Sequence, residues 1–71
     1  MPLIQISLRA GRSAKQLEDV AARVTQAASE ALDAAPASIR VIVTEVPPQN
    51  WFLGGVPLAP PERQARNRDP L

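Results

Sequence analysis

Apolar and polar residues alternate at the start of the chain. Ile4, Ile6 and Leu8 are separated by single polar residues, which is the period of two that a half-buried β-strand requires. The alternation predicts a strand over residues 3–9. Gly11 follows it and favours a turn over continued strand geometry.

The next segment changes to a helical period. Ser13 and Gln16 have the spacing of a capping box, in which each residue's side chain satisfies a backbone donor of the first helical turn. We therefore expect a helix to begin at Ser13 and to end before Pro36, which disfavours its continuation. The apolar stripe of this helix is predicted to comprise Leu17, Val20, Ala21, Val24, Ala27, Ala28, Ala31 and Leu32.

A second strand is predicted over residues 39–46. This run is rich in β-branched residues and almost continuously apolar, which is typical of a strand covered on both faces. Together with the first strand and the helix it forms a β-α-β unit with parallel strands, an α/β (α+β) subunit. Two strands and one helix leave sheet edges and one face bare, so we expect other subunits to cover them.

Residues after the second strand form shorter elements. Gly54-Gly55 indicates a loop or short hairpin close to the aromatic residues Trp51 and Phe52. From position 59 onward the chain is polar, rich in proline and arginine, and without apolar periodicity. The expected organisation is therefore one domain over residues 1–58 and a polar tail over residues 59–71.

Composition changes this picture in one respect, the need for partners. The chain has 71 residues, no cysteine and only 3% aromatic residues, so neither disulfides nor a large core can stabilise a monomer. We therefore expect self-association to stabilise the fold.

No targeting segment or membrane span is evident, which favours a cytoplasmic protein. A net charge of +1 gives only weak support for a binding module that uses Arg63, Arg66 and Arg68 on nucleic acid or another anion.

Few residues of this chain can perform acid–base chemistry. His, Cys and Tyr are all absent, which leaves carboxylates, Lys15, hydroxyls and the chain terminus. The carboxylates show no metal-ligand spacing and are best explained as surface charges. No metal site is therefore expected from the residues.

Pro2 depends on the fate of Met1. Removal of an initiator methionine before a small residue is the usual expectation, and it would expose a secondary amine at the start of a strand. A model α-amino group has a pKa of about 7.7–8.0, and apolar burial lowers the pKa of an amine. A neutral base at working pH is then plausible. If Met1 is retained, Pro2 is an amide nitrogen without basicity, and an inactive form or a non-enzymatic scaffold is the alternative.

Several segments, in this order and spacing, resemble the 4-oxalocrotonate tautomerase family over residues 2–58. They are Pro2-Leu3-Ile4-Gln5-Ile6, Gly11-Arg12-Ser13, Ser38-Ile39-Arg40-Val41-Ile42-Val43-Thr44-Glu45, and Trp51 ahead of Gly54-Gly55. No single segment is specific to this family. The order and spacing of the segments across most of the chain make the combined signal strong.

The resemblance implies a role for each matching residue. Pro2 is expected to be the general base and Arg12 to bind a substrate carboxylate. Arg40, contributed by an adjacent subunit, is expected to stabilise charge on the enol or keto oxygen. Trp51 replaces a family aromatic that lines the pocket. The resemblance also implies a homohexamer that acts on a small carboxylate substrate without cofactor or metal.

Arg9 departs from the family's usual pattern. The position is apolar in the best-known tautomerases but is an arginine in one subunit of the related trans-3-chloroacrylic acid dehalogenase, so Arg9 is a further candidate for substrate binding. That enzyme also needs an acid to activate water, whereas Trp51-Phe52-Leu53 offers none. Dehalogenation is therefore disfavoured.

The reaction favoured by these expectations is the enol-to-keto isomerisation of a 2-hydroxy-dienoate such as 2-hydroxymuconate. A phenylpyruvate-type tautomerase and a hydratase are the alternative enzymes, and a silent oligomeric scaffold is the alternative from another class.

Overall fold

The computed structural model describes residues 1–59, and it contains the predicted β-α-β unit followed by a short hairpin. The elements are β1 (Leu3–Arg9), α1 (Ala14–Leu32), β2 (Arg40–Val46), β3 (Phe52–Leu53) and β4 (Val56–Pro57), with single 3₁₀ turns at Pro36–Ser38 and Pro48–Asn50. The predicted fold class is confirmed.

β1 and β2 are parallel and start and end together. Leu3 lies opposite Arg40 at one end of the pair, and Arg9 lies opposite Val46 at the other. The backbone N–H of Ala10 extends the ladder by donating to the carbonyl of Val46 at 2.9 Å. Each end of the sheet therefore gathers residues from both strands.

The capping box predicted for α1 is present. The backbone N–H of Gln16 donates to Ser13 Oγ at 3.1 Å, and the N–H of Ser13 donates to Gln16 Oε1 at 3.0 Å. At the other end Asp33 adopts a left-handed conformation with φ of 55°, and its N–H donates to the carbonyl of Ser29. The helix thus has caps at both ends, which fix its length relative to the sheet.

The helix covers only one face of the β1–β2 sheet. Ile4, Ile6, Val41 and Val43 on that side are half-buried. The uncovered face comprises Leu3, Gln5, Ser7 and Arg9 of β1 and Arg40, Ile42 and Thr44 of β2, all of them exposed. The expectation that β2 is covered on both faces is therefore not met within one chain, because one helix can pack on only one side.

The core of a single chain is small. Ile39 is the one buried hydrophobic residue among residues 1–59, at 9% exposure. Most of the predicted helix stripe is half-buried, but Ala27, Ala31 and Leu32 are exposed. The helix of 19 residues is about 28 Å long, whereas a strand of seven residues spans about 23 Å. The helix is therefore longer than the sheet by about one helical turn.

The hairpin β3–β4 is built on two glycines. Gly54 and Gly55 have φ of 62° and 82°, as a two-residue type I′ turn requires. The hairpin exposes three large apolar side chains, which belong to Phe52, Leu53 and Val56. Of the predicted tail, residues 60–71 lie outside the described residues. Within the described part of the chain, no helix is long and apolar enough to cross a membrane.

Candidate functional site

Pro2 and Arg40 lie together where the two parallel strands begin. The backbone N–H of Arg40 donates to the carbonyl of Pro2 at 3.0 Å, so the ladder fixes Pro2 although it precedes β1. Met1 extends from this point with 82% of its surface exposed, and its Sδ lies 3.1 Å from Arg40 Nε. Met1 therefore occupies the space beside both groups.

Arg9 and Arg12 lie together at the opposite end of β1. Arg12 Nη1 donates to the backbone carbonyl of Arg9 at 3.1 Å. Both side chains are exposed, and Arg9 belongs to the uncovered face. The bond turns the Arg12 guanidinium back towards the end of the strand, so two cationic side chains share this end of the sheet.

Trp51 follows the carboxyl end of β2 and is half-buried. Its N–H donates to the carbonyl of Pro48 at 3.2 Å, and its carbonyl accepts from the N–H of Leu58 at 2.9 Å. These bonds tie the residue to the base of the hairpin. Phe52, the other aromatic residue, is 56% exposed, so it covers little of the chain to which it belongs.

The candidate residues thus form two groups at opposite ends of the sheet. Arg9 is seven positions after Pro2, which corresponds to about 23 Å along an extended strand. Pro2 and Arg40 form one group, and Arg9 and Arg12 form the other. A single chain does not bring the candidate base and the candidate carboxylate-binding arginines together.

Two concavities within residues 1–59 lie away from both groups. Both are shallow depressions along the first turns of α1, lined by Ser13, Lys15, Gln16, Glu18 and Asp19. Residues 1–59 contain no cluster of His, Cys, Asp or Glu side chains able to hold a metal ion.

Two contacts at the site carried no signal in the sequence. These are the approach of Met1 to Arg40 and the bond from Arg12 to the carbonyl of Arg9. The first depends on strand register and the second on a side-chain rotamer, and neither follows from residue type or spacing alone.

The model of the tautomerase enzyme family matches residues 2–60. This chain belongs to that family. The 2-hydroxymuconate tautomerase of Stutzerimonas stutzeri is 44% identical over 55 residues, which are 78% of this chain and 87% of that protein. The enzyme of the same name from Comamonas testosteroni is 43% identical over 56 residues, covering 79% of this chain and 89% of that protein.

Solved tautomerase structures share the fold. TomN, a 4-oxalocrotonate tautomerase homologue in a tomaymycin biosynthetic pathway, has 36% identity and a TM-score of 0.78, with 99% of this chain and 100% of that chain covered. A heterohexameric 4-oxalocrotonate tautomerase from Chloroflexus aurantiacus has 38% identity and a TM-score of 0.78, with 82% and 94% covered. The protein is a tautomerase, an isomerase that interconverts enol and keto forms.

Proposed function

We propose that this tautomerase, once Met1 is removed, uses the nitrogen of Pro2 as the general base on a 2-hydroxy-dienoate such as 2-hydroxymuconate. The observation that carries the proposal is the 3.0 Å hydrogen bond from the Arg40 N–H to the Pro2 carbonyl. It holds the future amine at a fixed point at the start of the sheet. The names of the relatives support the substrate class.

The proposed reaction moves one proton from oxygen to carbon. The neutral amine of Pro2 takes the hydroxyl proton, and the electrons of the O–H bond form the carbonyl. The conjugated double bonds shift, and the terminal carbon of the diene system receives the proton from the Pro2 ammonium. Pro2 is therefore neutral again at the end of the cycle.

Arginine suits the two charge-handling tasks. Arg40 stabilises the negative charge that develops on the enol oxygen, because a guanidinium stays ionised and donates hydrogen bonds in a fixed fork. Arg12 binds a substrate carboxylate in the same manner. Trp51 excludes water from one side of the pocket, which favours the neutral form of the amine. The resemblance implies that Arg40 comes from an adjacent subunit, and this stays a prediction.

The proposed site is assembled from more than one copy of the chain. A six-carbon substrate is far shorter than the separation of about 23 Å along β1 between Pro2 and Arg9, so the carboxylate-binding end must come from another copy. The uncovered face and the exposed hairpin supply apolar surface for this association, with Leu3 at 54% and Leu53 at 73% exposure. We propose a homohexamer. The family resemblance implies six copies of one chain, and a heterohexameric relative supports the number six.

The direct test compares protein with and without Met1, each verified by intact mass and by oligomeric state. The processed form should convert 2-hydroxymuconate with a rate that rises with pH as the amine loses its proton. The Met1-bearing form should lose most activity, because its Pro2 nitrogen is an amide. Equal turnover by the two forms would reject the terminal amine as the base, and no turnover by either form would favour the scaffold alternative.

A further inference from the structure

The peptide bond between Met1 and Pro2 lies directly ahead of the first contact of the strand ladder. Pro2 is half-buried, and its carbonyl accepts a hydrogen bond of 3.0 Å from the N–H of Arg40. Leu3, the next residue, already lies opposite Arg40 in the parallel pair. The bond that has to break to free the Pro2 nitrogen is therefore adjacent to backbone that is held in the sheet.

Pro2 also limits how far Met1 can swing away from the sheet. The pyrrolidine ring fixes the rotation about the N–Cα bond of proline, and the hydrogen bond to Arg40 fixes the direction of the Pro2 carbonyl. The peptide bond itself is planar. In the folded chain the Met1–Pro2 bond consequently has a fixed orientation relative to β1.

The Met1 side chain makes a second contact with the same residue. Its Sδ lies 3.1 Å from Arg40 Nε, although a thioether is only a weak acceptor. The residue is 82% exposed, so solvent reaches the side chain while the backbone behind it is held. Exposure of Met1 is not sufficient for its removal, because an aminopeptidase must enclose the terminal residue and reach the atoms on both sides of the bond.

Cleavage next to structured backbone proceeds through local opening. Here the opening has to release the Pro2 carbonyl from the Arg40 N–H. In a chain that is still being synthesised this step is not needed, because Arg40 lies 39 positions after Met1. At about 5–20 residues per second, synthesis of that stretch takes about 2–8 s. The interval in which the terminus is free ends when Arg40 pairs with Pro2.

We infer that the removal of Met1 has to precede the pairing of β1 with β2, so that a chain which folds with Met1 is held in an inactive form. As a control of activity, this inference rests on the proposed function. The step is a hydrolysis by a methionine-specific aminopeptidase. Water adds to the Met1 carbonyl carbon, the C–N bond to Pro2 breaks, and methionine leaves with the new carboxyl group. The Pro2 nitrogen takes up a proton and remains as the secondary amine.

The test measures the rate at which a purified methionine aminopeptidase removes Met1, followed by intact mass. The substrates are the folded Met1-bearing chain and a peptide of residues 1–9, which has the same cleavage site without a partner strand. The folded chain should lose Met1 at least about tenfold more slowly than the peptide, because only the opened fraction is cleaved. Equal rates would overturn the inference.

Two variants at Arg40 separate the backbone hydrogen bond from the side-chain contact. Both lack the guanidinium, but Arg40→Ala keeps the N–H that binds Pro2, whereas Arg40→Pro removes it. Proline is tolerated at the first position of a strand, and Ile39 has φ of −98° and ψ of 130°, which suits a residue before proline. Folded Arg40→Pro should lose Met1 about fivefold faster than folded Arg40→Ala. The same rate in both would show that the ladder does not protect the bond.

An insertion tests the same point with both strands unchanged, in case Arg40→Pro does not fold. Two residues, alanine and glycine, placed between Met1 and Pro2 move the cleavage site away from the ladder. The folded insertion variant should lose Met1 as fast as the peptide of its own first residues. Protection that persists in this variant would come from the rest of the assembly and would contradict a role for the β1–β2 pairing.

The outcomes also distinguish this inference from the proposed function. Turnover of 2-hydroxymuconate is measured separately on processed protein. A folded chain that resists cleavage, together with processed protein that turns over no enol, would reject the proposed function and leave the order of processing and folding supported. Rapid cleavage of the folded chain that restores full turnover would support the proposed function and reject the inference.

Discussion

The two ends of the β1–β2 sheet carry different candidate functional residues. At the end where the strands begin, Pro2 and Arg40 are joined by a backbone hydrogen bond of 3.0 Å. At the end where the strands finish, the guanidinium of Arg12 donates a 3.1 Å hydrogen bond to the backbone carbonyl of Arg9. The first end holds the candidate base, and the second holds two arginines that form no ion pair with any acid of residues 1–59.

Under the proposed function, this difference gives the chain a chemical reason to associate as well as an energetic one. Only Ile39 is buried among the described residues, so a monomer gains little from hydrophobic burial. The sheet is about 23 Å long along β1. A small substrate cannot span that distance. Association of copies can complete the core and bring unlike ends together.

The largest expected effect is at the end that holds the base. Arg40→Ala keeps the backbone N–H that binds Pro2, so the fold at this point should be preserved. Loss of the donor to the developing oxyanion should lower kcat by about 10²–10³. Steady-state kinetics on 2-hydroxymuconate measure this loss, with Arg23→Ala as the control. An unchanged kcat would remove Arg40 from the site.

The uncovered face between the two ends gives the next effect. Ile42 is 49% exposed in one chain, and burial of a charge there in an oligomer would be costly. Ile42→Asp should weaken association on the order of a hundredfold. Sedimentation equilibrium measures the association, and Ala22→Asp places the same charge on the exposed side of α1. A variant that associates as tightly as wild type would show that this face stays open.

A smaller effect is expected at the end that holds the arginine pair. Arg12→Ala should raise KM for a dicarboxylate by about tenfold while changing kcat less. The reason is that the carboxylate carries the same charge in the ground state and in the transition state. Initial rates over a range of substrate concentrations separate the two constants. A fall in kcat without a change in KM would place Arg12 at the reacting atoms instead.

The smallest effect concerns the helix cap at Ser13, which directly follows the arginine pair. Ser13→Ala removes the acceptor of the Gln16 N–H and should lower the free energy of unfolding by about 1 kcal/mol. Urea unfolding at a fixed protein concentration measures this change. Gln16→Ala, which removes the other half of the capping box, should cost less than Ser13→Ala. No loss in either variant would indicate that water replaces both bonds.

The fold was largely predictable because its signals are local. Alternation of Ile4, Ile6 and Leu8 predicted β1, and the pair Ser13 and Gln16 predicted the start of the helix. The exposure of Leu32 was not predictable, since it depends on the length of the helix relative to the sheet. The interpretation of β2 as covered on both faces used apolarity alone, which does not tell whether a cover comes from the same chain or from another.

The site was predictable only as a set of residues. Resemblance to known tautomerases supplied the roles expected of Pro2, Arg12 and Arg40, which stay predictions, and the matched family supports the activity. The sequence carries no distances, so it could not show that these residues divide between two ends. The approach of Met1 to Arg40 likewise depends on strand register, which a single sequence does not display.

The most direct test of the composite site is a mixture of two defective chains. One chain retains Met1 and so lacks the amine, and the other carries Arg12→Ala. The two are unfolded, mixed in equal amounts and refolded, and activity is measured at low substrate concentration. If Pro2 and Arg12 of one site come from different copies, about a quarter of the sites combine an intact Pro2 with an intact Arg12. Activity should then return to about a quarter of the wild-type value, compared with the roughly one-tenth that Arg12→Ala alone is expected to keep at low substrate concentration. A mixture no more active than the average of its two components would contradict the account, because it would mean that each chain supplies both residues to its own site.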